Sequence, residues 1–586
     1  MRWTRRTALL FALLSTPCVL TAQARPGDDF FGYANAAWLA GATIPEGKDR
    51  LTARNEIDAK TRQQLDALFA GLAGAPSGSL GARVQAFLAA ATHGAGATAL
   101  QPRLDSIEAI RDKAELTRAL GRDLGADVDP LNWGTYQSAH ILGLAVEPGL
   151  HGEAHNVVIL TQGGAGAEAL DDGSASDSNA ANLWTRAELI ERAPGMDWSA
   201  FLDAAGLGGV PSFIIWQPKA MIRLAAQVEA RPLEEWKSYL EQRLRDRHPT
   251  GPGRTEGEAR EAALRWLPEA IGQLYAERYF PPAEKRRAER IVAGVIKAFR
   301  HQVVVTPWLS PAARATALAK IDAIKFSMGY PDRWEAGVTL QLDPADRIGN
   351  QRRIERWNYQ RALGRIGRPV DRSHWWVAPH RVIAILMFQQ NAYNFPAAFL
   401  QPPKYDPAAS DAANYGAIGA IVGHEVSHFV DLLGADYGVH GELRHWWTPE
   451  DHAGFRSAAS VLARQVAGYR PAPGMAIDTA LTMVENVADL TGLRAAFAAH
   501  RAALGPRAAD TAYVRRQDRE FFLGFARSWR GQIRDSAMAT ILASDNHAPE
   551  RYRVALVRNL DAWYDAFGIQ PRDALYLRPE ERVRIW

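Results

Sequence analysis

The pattern His424-Glu425-Val426-Ser427-His428 carries the sharpest chemistry in the chain. Around it, residues 418 to 433 are apolar at helical spacing and stop at Gly434, which reads as a helix C-cap. Residues four apart on a helix share a face, so His424 and His428 can present two imidazoles to one zinc ion at about 2.0–2.1 Å. Glu425, one step round the helix, is placed to take a proton from a metal-bound water rather than to ligate the metal. The chain has 15 His in 586 residues, and chance gives such a pattern in roughly one or two per cent of chains of this composition. An apolar helix is also a costly place for two unpaired imidazoles and a carboxylate. The expectation is one Zn2+ per chain.

A catalytic zinc site takes three protein ligands and keeps one position open. Six residues after His428 stands Gly434, so the third ligand must come from elsewhere. Glu485, in Val484-Glu485-Asn486-Val487-Ala488-Asp489, is the choice. On a helix, Glu485 could bind the metal while Asp489, on the same face, bonds the far nitrogen of a ligand histidine and fixes its tautomer. Asp431, three after His428, could serve the other ring. The same spacing also suits a solvated helix face.

The rest of the chain must position these groups. At 586 residues it calls for two large domains, and 47% hydrophobic with 23% charged residues is an ordinary globular balance. Residues 28–300 read as amphipathic helices, with 57–72 one example. Residues 132–166 suggest a short hairpin, 163–181 a surface loop and 248–255 a breaker cluster. The texture changes after Gly329-Tyr330-Pro331, so the boundary is set at 310/311. Arg2, Arg5 and Arg6, an apolar run from Ala8 to Leu20 and Ala22-Gln23-Ala24 read as a secretory signal peptide over residues 1–24, implying a secreted or periplasmic protein without a stable membrane anchor. Without that segment the chain has 65 bases and 65 acids, which argues against nucleic acid as a partner. The single cysteine, Cys18, excludes a disulfide scaffold and a thiol nucleophile in the mature chain.

Several stretches together resemble the neprilysin-like zinc metallopeptidases, including their bacterial oligopeptidases. They are Asp28-Asp29-Phe30-Phe31-Gly32-Tyr33, Phe395-Pro396-Ala397-Ala398, Leu400-Gln401-Pro402-Pro403, Asn414-Tyr415-Gly416-Ala417-Ile418-Gly419, the histidine helix, Trp446-Trp447-Thr448, the Glu485 segment and the ending Arg582-Val583-Arg584-Ile585-Trp586. The resemblance implies His424, His428 and Glu485 as zinc ligands, Glu425 as general base and Asp489 as a carboxylate behind the ligands, often described as a proton donor. It implies His547 as stabiliser of the tetrahedral intermediate and Arg553 as the holder of the substrate backbone. It further implies a mainly α fold with a small β component: a thermolysin-like catalytic domain (311–586) and a large helical domain (25–310) enclosing the active-site chamber. The expected substrates are oligopeptides with a large apolar residue after the scissile bond.

The chain departs from the family pattern near Ala555, where a Gly is missing, over residues 163–172, which are abbreviated, and at two positions of the substrate site. Counting from Phe395 places the substrate-pairing strand at Val382-Ile383-Ala384-Ile385-Leu386, with Ile383 and Ala384 at the substrate-binding positions and Ile383 where the family has Asn. Asn391-Ala392-Tyr393 is then a decoy. Lys404 follows Pro403 where the family has a pocket-lining aromatic. The altered strand motivates the alternative of a non-catalytic peptide-binding protein on a peptidase fold, against which the intact Glu425 argues.

Overall fold

A computed structural model describes residues 24–128, 138–163, 182–335 and 340–586. The signal segment and most of the expected 163–181 loop lie outside the described residues. Helices dominate, and short side chains start many of them. Thr52, Thr185, Thr255 and Thr448 each accept from the backbone N–H three residues on, while that residue's own side chain reaches back to the cap. The expected 57–72 helix is Ala53–Ala70, and it buries Ile57, Leu65 and Leu68 as the periodicity requires. The 248–255 breaker falls between helices Leu233–Arg247 and Glu256–Trp266.

Nine short strands form three sheets among the described residues. β1 (Arg50–Thr52) pairs antiparallel with β9 (Gly531–Ile533), joining the two ends of the chain. The expected hairpin is β2 (Leu142–Pro148) against β3 (Asn156–Gln162); β3 runs parallel to β5 (Ser212–Ile215), and β4 (Leu183–Thr185) closes that sheet. In the third sheet, β8 (Ala392–Pro396) is central. It pairs parallel with β6 (Lys325–Gly329) and antiparallel with β7 (Ile385–Met387), so β7 is an edge strand.

Two large hydrophobic clusters result. One is built from residues 110–240 with Ala362. The other contains the histidine helix and also helices Pro282–Val305 and Pro311–Ala323, which flank the expected 310/311 boundary. The amino-terminal helix Phe30–Gly41 belongs to this second cluster: the Phe30 ring meets Trp563 and Phe567, and Asn35 donates to the Ala526 carbonyl. No helix among the described residues is long and apolar enough to cross a membrane.

Candidate metal centre

The histidine helix spans Ala420–His428 and follows a π-helical turn at Tyr415–Gly419. It ends six residues before Gly434, which corrects the expected C-cap. Gly434 starts a 3₁₀ turn, and a Cβ there would lie 2.1 Å from the Phe429 carbonyl oxygen and 2.5 Å from that of His428. The glycine is needed because the chain folds back onto the helix end. Lys320, 1% exposed, braces the fold-back by donating its ammonium to the Gly434 and Tyr437 carbonyls. Every residue of the helix except Glu425 is buried.

Glu485 and Asp489 lie on helix Met483–Ala503, which packs against the histidine helix at two glycines. A Cβ on Gly423 would come within 2.7 Å of Gly492 Cα, and one on Gly492 within 2.3 Å of His424 N. Backbone meets backbone there, as only glycine allows. That contact brings the carboxylates within reach of the imidazoles.

His424 Nδ1 donates to Asp489 Oδ1 and His428 Nδ1 to Asp431 Oδ2, each at 2.8 Å. These contacts occupy both Nδ1 atoms, so a neutral ring offers its Nε2 lone pair to a metal. The two Nε2 atoms are 3.1 Å apart, and Glu485 Oε2 lies 3.2 and 3.4 Å from them. Glu485 Oε2 is buried without a hydrogen bond of acceptable geometry. Three acceptor atoms facing one another in a buried site repel unless a cation lies between them. Ligands held tetrahedrally at 2.0–2.1 Å from one ion would be about 3.3 Å apart, so this N₂O donor set fits zinc.

The other expected groups gather around it. Arg553, 8% exposed, donates Nε and Nη2 to Asp489 at 2.7 and 2.6 Å and lies 3.7 Å from the Trp529 ring centre. Burial would raise the Asp489 pKa, but Arg553 and His424 hold it down at about 2. His547 Nε2 lies 3.1 Å from Glu485 Oε2, with Nδ1 3.1 Å from Asp545. Burial opposes a charge on His547, yet Asp545 and Glu485 outweigh it and raise the pKa to about 9. Ile383 and Ala384 are half-buried immediately before edge strand β7. Asn391-Ala392-Tyr393 leads into central strand β8, both of whose edges are taken; Asn391 itself has φ 48° and donates to the Lys320 carbonyl.

Two contributors escaped the sequence reading. Asn546 donates to Glu485 Oε1 at 2.8 Å, fixing the carboxylate's rotation; its only signal was its place beside His547. Tyr393, 2% exposed, has its phenol pKa raised by burial and by the neighbouring Glu425 carboxylate, which accepts from it. Nothing in the spacing pairs those two residues.

Comparison with known proteins adds to this geometry. Residues 26–172, 167–331 and 386–583 match Peptidase family M13. A neutral endopeptidase of Lactobacillus helveticus is 34% identical over 321 residues, covering 54% of this chain and 48% of that protein. The chain thus matches about half the length of such curated relatives. The zinc metalloprotease Zmp1 of Mycobacterium tuberculosis is 28% identical, with 96% of this chain and 100% of that chain covered at a TM-score of 0.83 for its open state. The inhibitor complex of the same protease, 28% identical and covering 96% and 98% of the two chains, superposes at 0.68.

Proposed function

This chain belongs to peptidase family M13, and we propose that it is a secreted or periplasmic endopeptidase that hydrolyses oligopeptides with one zinc ion per chain. The observation that carries the reading is the convergence of His424 Nε2, His428 Nε2 and Glu485 Oε2 beside the one accessible carboxylate of the histidine helix, Glu425. Zinc held by these three residues would supply Lewis acidity that makes water nucleophilic near neutral pH.

Glu425 takes a proton from the attacking water and delivers it to the leaving amine as the C–N bond breaks. Tyr393 holds the Glu425 carboxylate as it does so. His547, whose imidazole Asp545 biases toward the charged form, stabilises the charge that develops on the scissile carbonyl oxygen. Arg553 has two nitrogens on Asp489, which leaves Nη1 for a peptide carbonyl. The free edge of β7 accepts the peptide as an added strand, and Ile383 gives it a backbone pairing without the side-chain amide. In this reading residues 311–586 carry the chemistry and residues 25–310 supply the cover, apart from helices such as Phe30–Gly41 and Pro282–Val305 that are built into the core of the histidine helix.

The test is turnover of a mixed fluorogenic peptide library by the wild type and by Glu425→Gln, with zinc content measured for both. The expected result is chelator-sensitive turnover in the wild type and a loss of about 10²–10⁴-fold in a variant that keeps its zinc. Equal, chelator-insensitive signals would remove the peptidase reading and leave a peptide-binding protein.

A further inference from the structure

A lysine as buried as Lys404 ordinarily has an anionic partner. Lys404 is 9% exposed, and its ammonium lies 4.0 Å from the Phe399 ring centre. It makes no ion pair or side-chain hydrogen bond among the described residues. Its electrostatic neighbours are Arg54 and Asp58 on helix Ala53–Ala70 and, from the site itself, Arg553 and Glu425. Glu425 is committed to proton transfer. Asp58 is an electrostatic neighbour shared with Arg54 and Arg62, and it forms no ion pair with Lys404. The ammonium is therefore a buried cation that lacks a dedicated anion, beside the reaction centre.

A second, independent observation has the same sign. A cavity of about 1940 Å³ is lined by twelve Lys and Arg against eight Asp and Glu. Four of the acids are already bridged: Asp123 by Arg103 and Arg247, Glu269 and Glu335 by Arg361, and Asp332 by Lys285. Arg333, Arg352, Arg356 and Arg381 form no ion pair among the described residues. The lining residues 373–379 and 381 precede edge strand β7 in the chain, and the Trp376 N–H donates to Asn394 on β8. A cavity lined by excess positive charge concentrates anions.

We propose that this peptidase selects peptides bearing acidic side chains, and that Lys404 reads a Glu or Asp adjacent to the scissile bond. The inference deepens the peptidase reading and rests on it. It replaces the large apolar residue that the family resemblance implies.

The experiment uses quenched peptides identical except for Glu, Gln or Leu at each position flanking the bond, with cut sites located by mass spectrometry. The full chain is loaded with zinc and compared with Lys404→Met and with Arg352→Gln/Arg356→Gln. At one flanking position the wild type should favour Glu over Gln by about 10–100-fold in kcat/KM, the range of one hydrogen bond to a charged group. Lys404→Met should abolish that ratio and gain on the Leu peptide. The double arginine variant should raise KM for the Glu peptide and flatten its salt dependence. Binding of the same peptides to Glu425→Gln, read by fluorescence anisotropy with and without Lys404→Met, separates selection from turnover. A Lys404-dependent Glu preference in binding with no turnover by the wild type would overturn the peptidase reading and keep the charge selection. Equal use of Glu, Gln and Leu by the wild type, or a ratio unmoved by Lys404→Met, would overturn this proposal while the peptidase reading stood.

Discussion

Asp489→Asn tests whether one carboxylate holds both the metal side and the substrate side of the site. Asp489 is 4% exposed and takes three N–H groups on two oxygens: His424 Nδ1 at 2.8 Å, and Arg553 Nε and Nη2 at 2.7 and 2.6 Å. An amide of the same shape keeps one acceptor and turns an NH₂ toward the remaining donors. If the oxygen stays with Arg553, His424 loses the bond that fixes its tautomer, and metal affinity should fall about 10–100-fold, or roughly 1.4–2.7 kcal/mol. If it stays with His424, the buried guanidinium loses half of a bidentate pair, and breaking a buried pair costs about 3–5 kcal/mol. Both outcomes displace Arg553 or His424 from its present position. Asp431→Asn is the comparator, because Asp431 touches His428 Nδ1 and the Leu433 N–H but no arginine. Competition against a chromophoric chelator gives the zinc Kd, and peptide kinetics give KM. Asp489→Asn should weaken zinc by at least 10-fold and raise KM; Asp431→Asn should weaken zinc similarly and leave KM near the wild-type value. An Asp489→Asn protein with both values within threefold of wild type would refute the claim that this carboxylate couples the two sides.

Two further predictions concern the support of the site and its charge. Gly492→Ala puts a methyl group 2.3 Å from His424 N and 2.5 Å from the Ala420 carbonyl oxygen, so the two site helices must separate; about 1–3 kcal/mol of stability and at least tenfold in zinc affinity should be lost, whereas Gly364→Ala, with open space around it on helix Arg347–Arg365, should be neutral or slightly stabilising in the same thermal-melting and chelator assays. Lys404 has its pKa lowered to about 7, first by burial and then by Arg54 and Arg553, against the opposing pull of Glu425 and Asp58; the amine is charged below that pH and neutral above it, so the Glu-over-Gln preference should be full near pH 6, fade as the pH rises through about 7 and be absent from Lys404→Met throughout, and a ratio independent of pH in the wild type would sink the charge-reading role.

What the sequence made legible and what it hid divide along a physical line. The two histidines were readable because a four-residue spacing on an apolar helix is a local geometric statement, complete without the rest of the chain. Glu485 and Asp489 were half-readable. Their spacing put them on one face, but only the Gly423–Gly492 contact decides that this face meets the imidazoles, and a glycine pair separated by 69 residues leaves no periodic trace. The same division explains Gly434. As a local signal it reads as a C-cap, whereas its real constraint is the nearness of the Phe429 and His428 carbonyls after the chain turns back, held from another helix by Lys320. Counting from fixed neighbours puts the proposed substrate strand at the sheet edge, and the sheet order shows what the register decides: at Asn391-Ala392-Tyr393 it would be β8, whose hydrogen-bonding edges are filled by β6 and β7. A residue at the centre of a sheet cannot pair with a peptide, however well its side chains match. Lys404 was visible as a departure from a pattern, but its meaning depends on what surrounds it. A lysine after two prolines is unremarkable in sequence; one buried over Phe399 with Arg54 and Arg553 for neighbours is an anion site in search of its ligand.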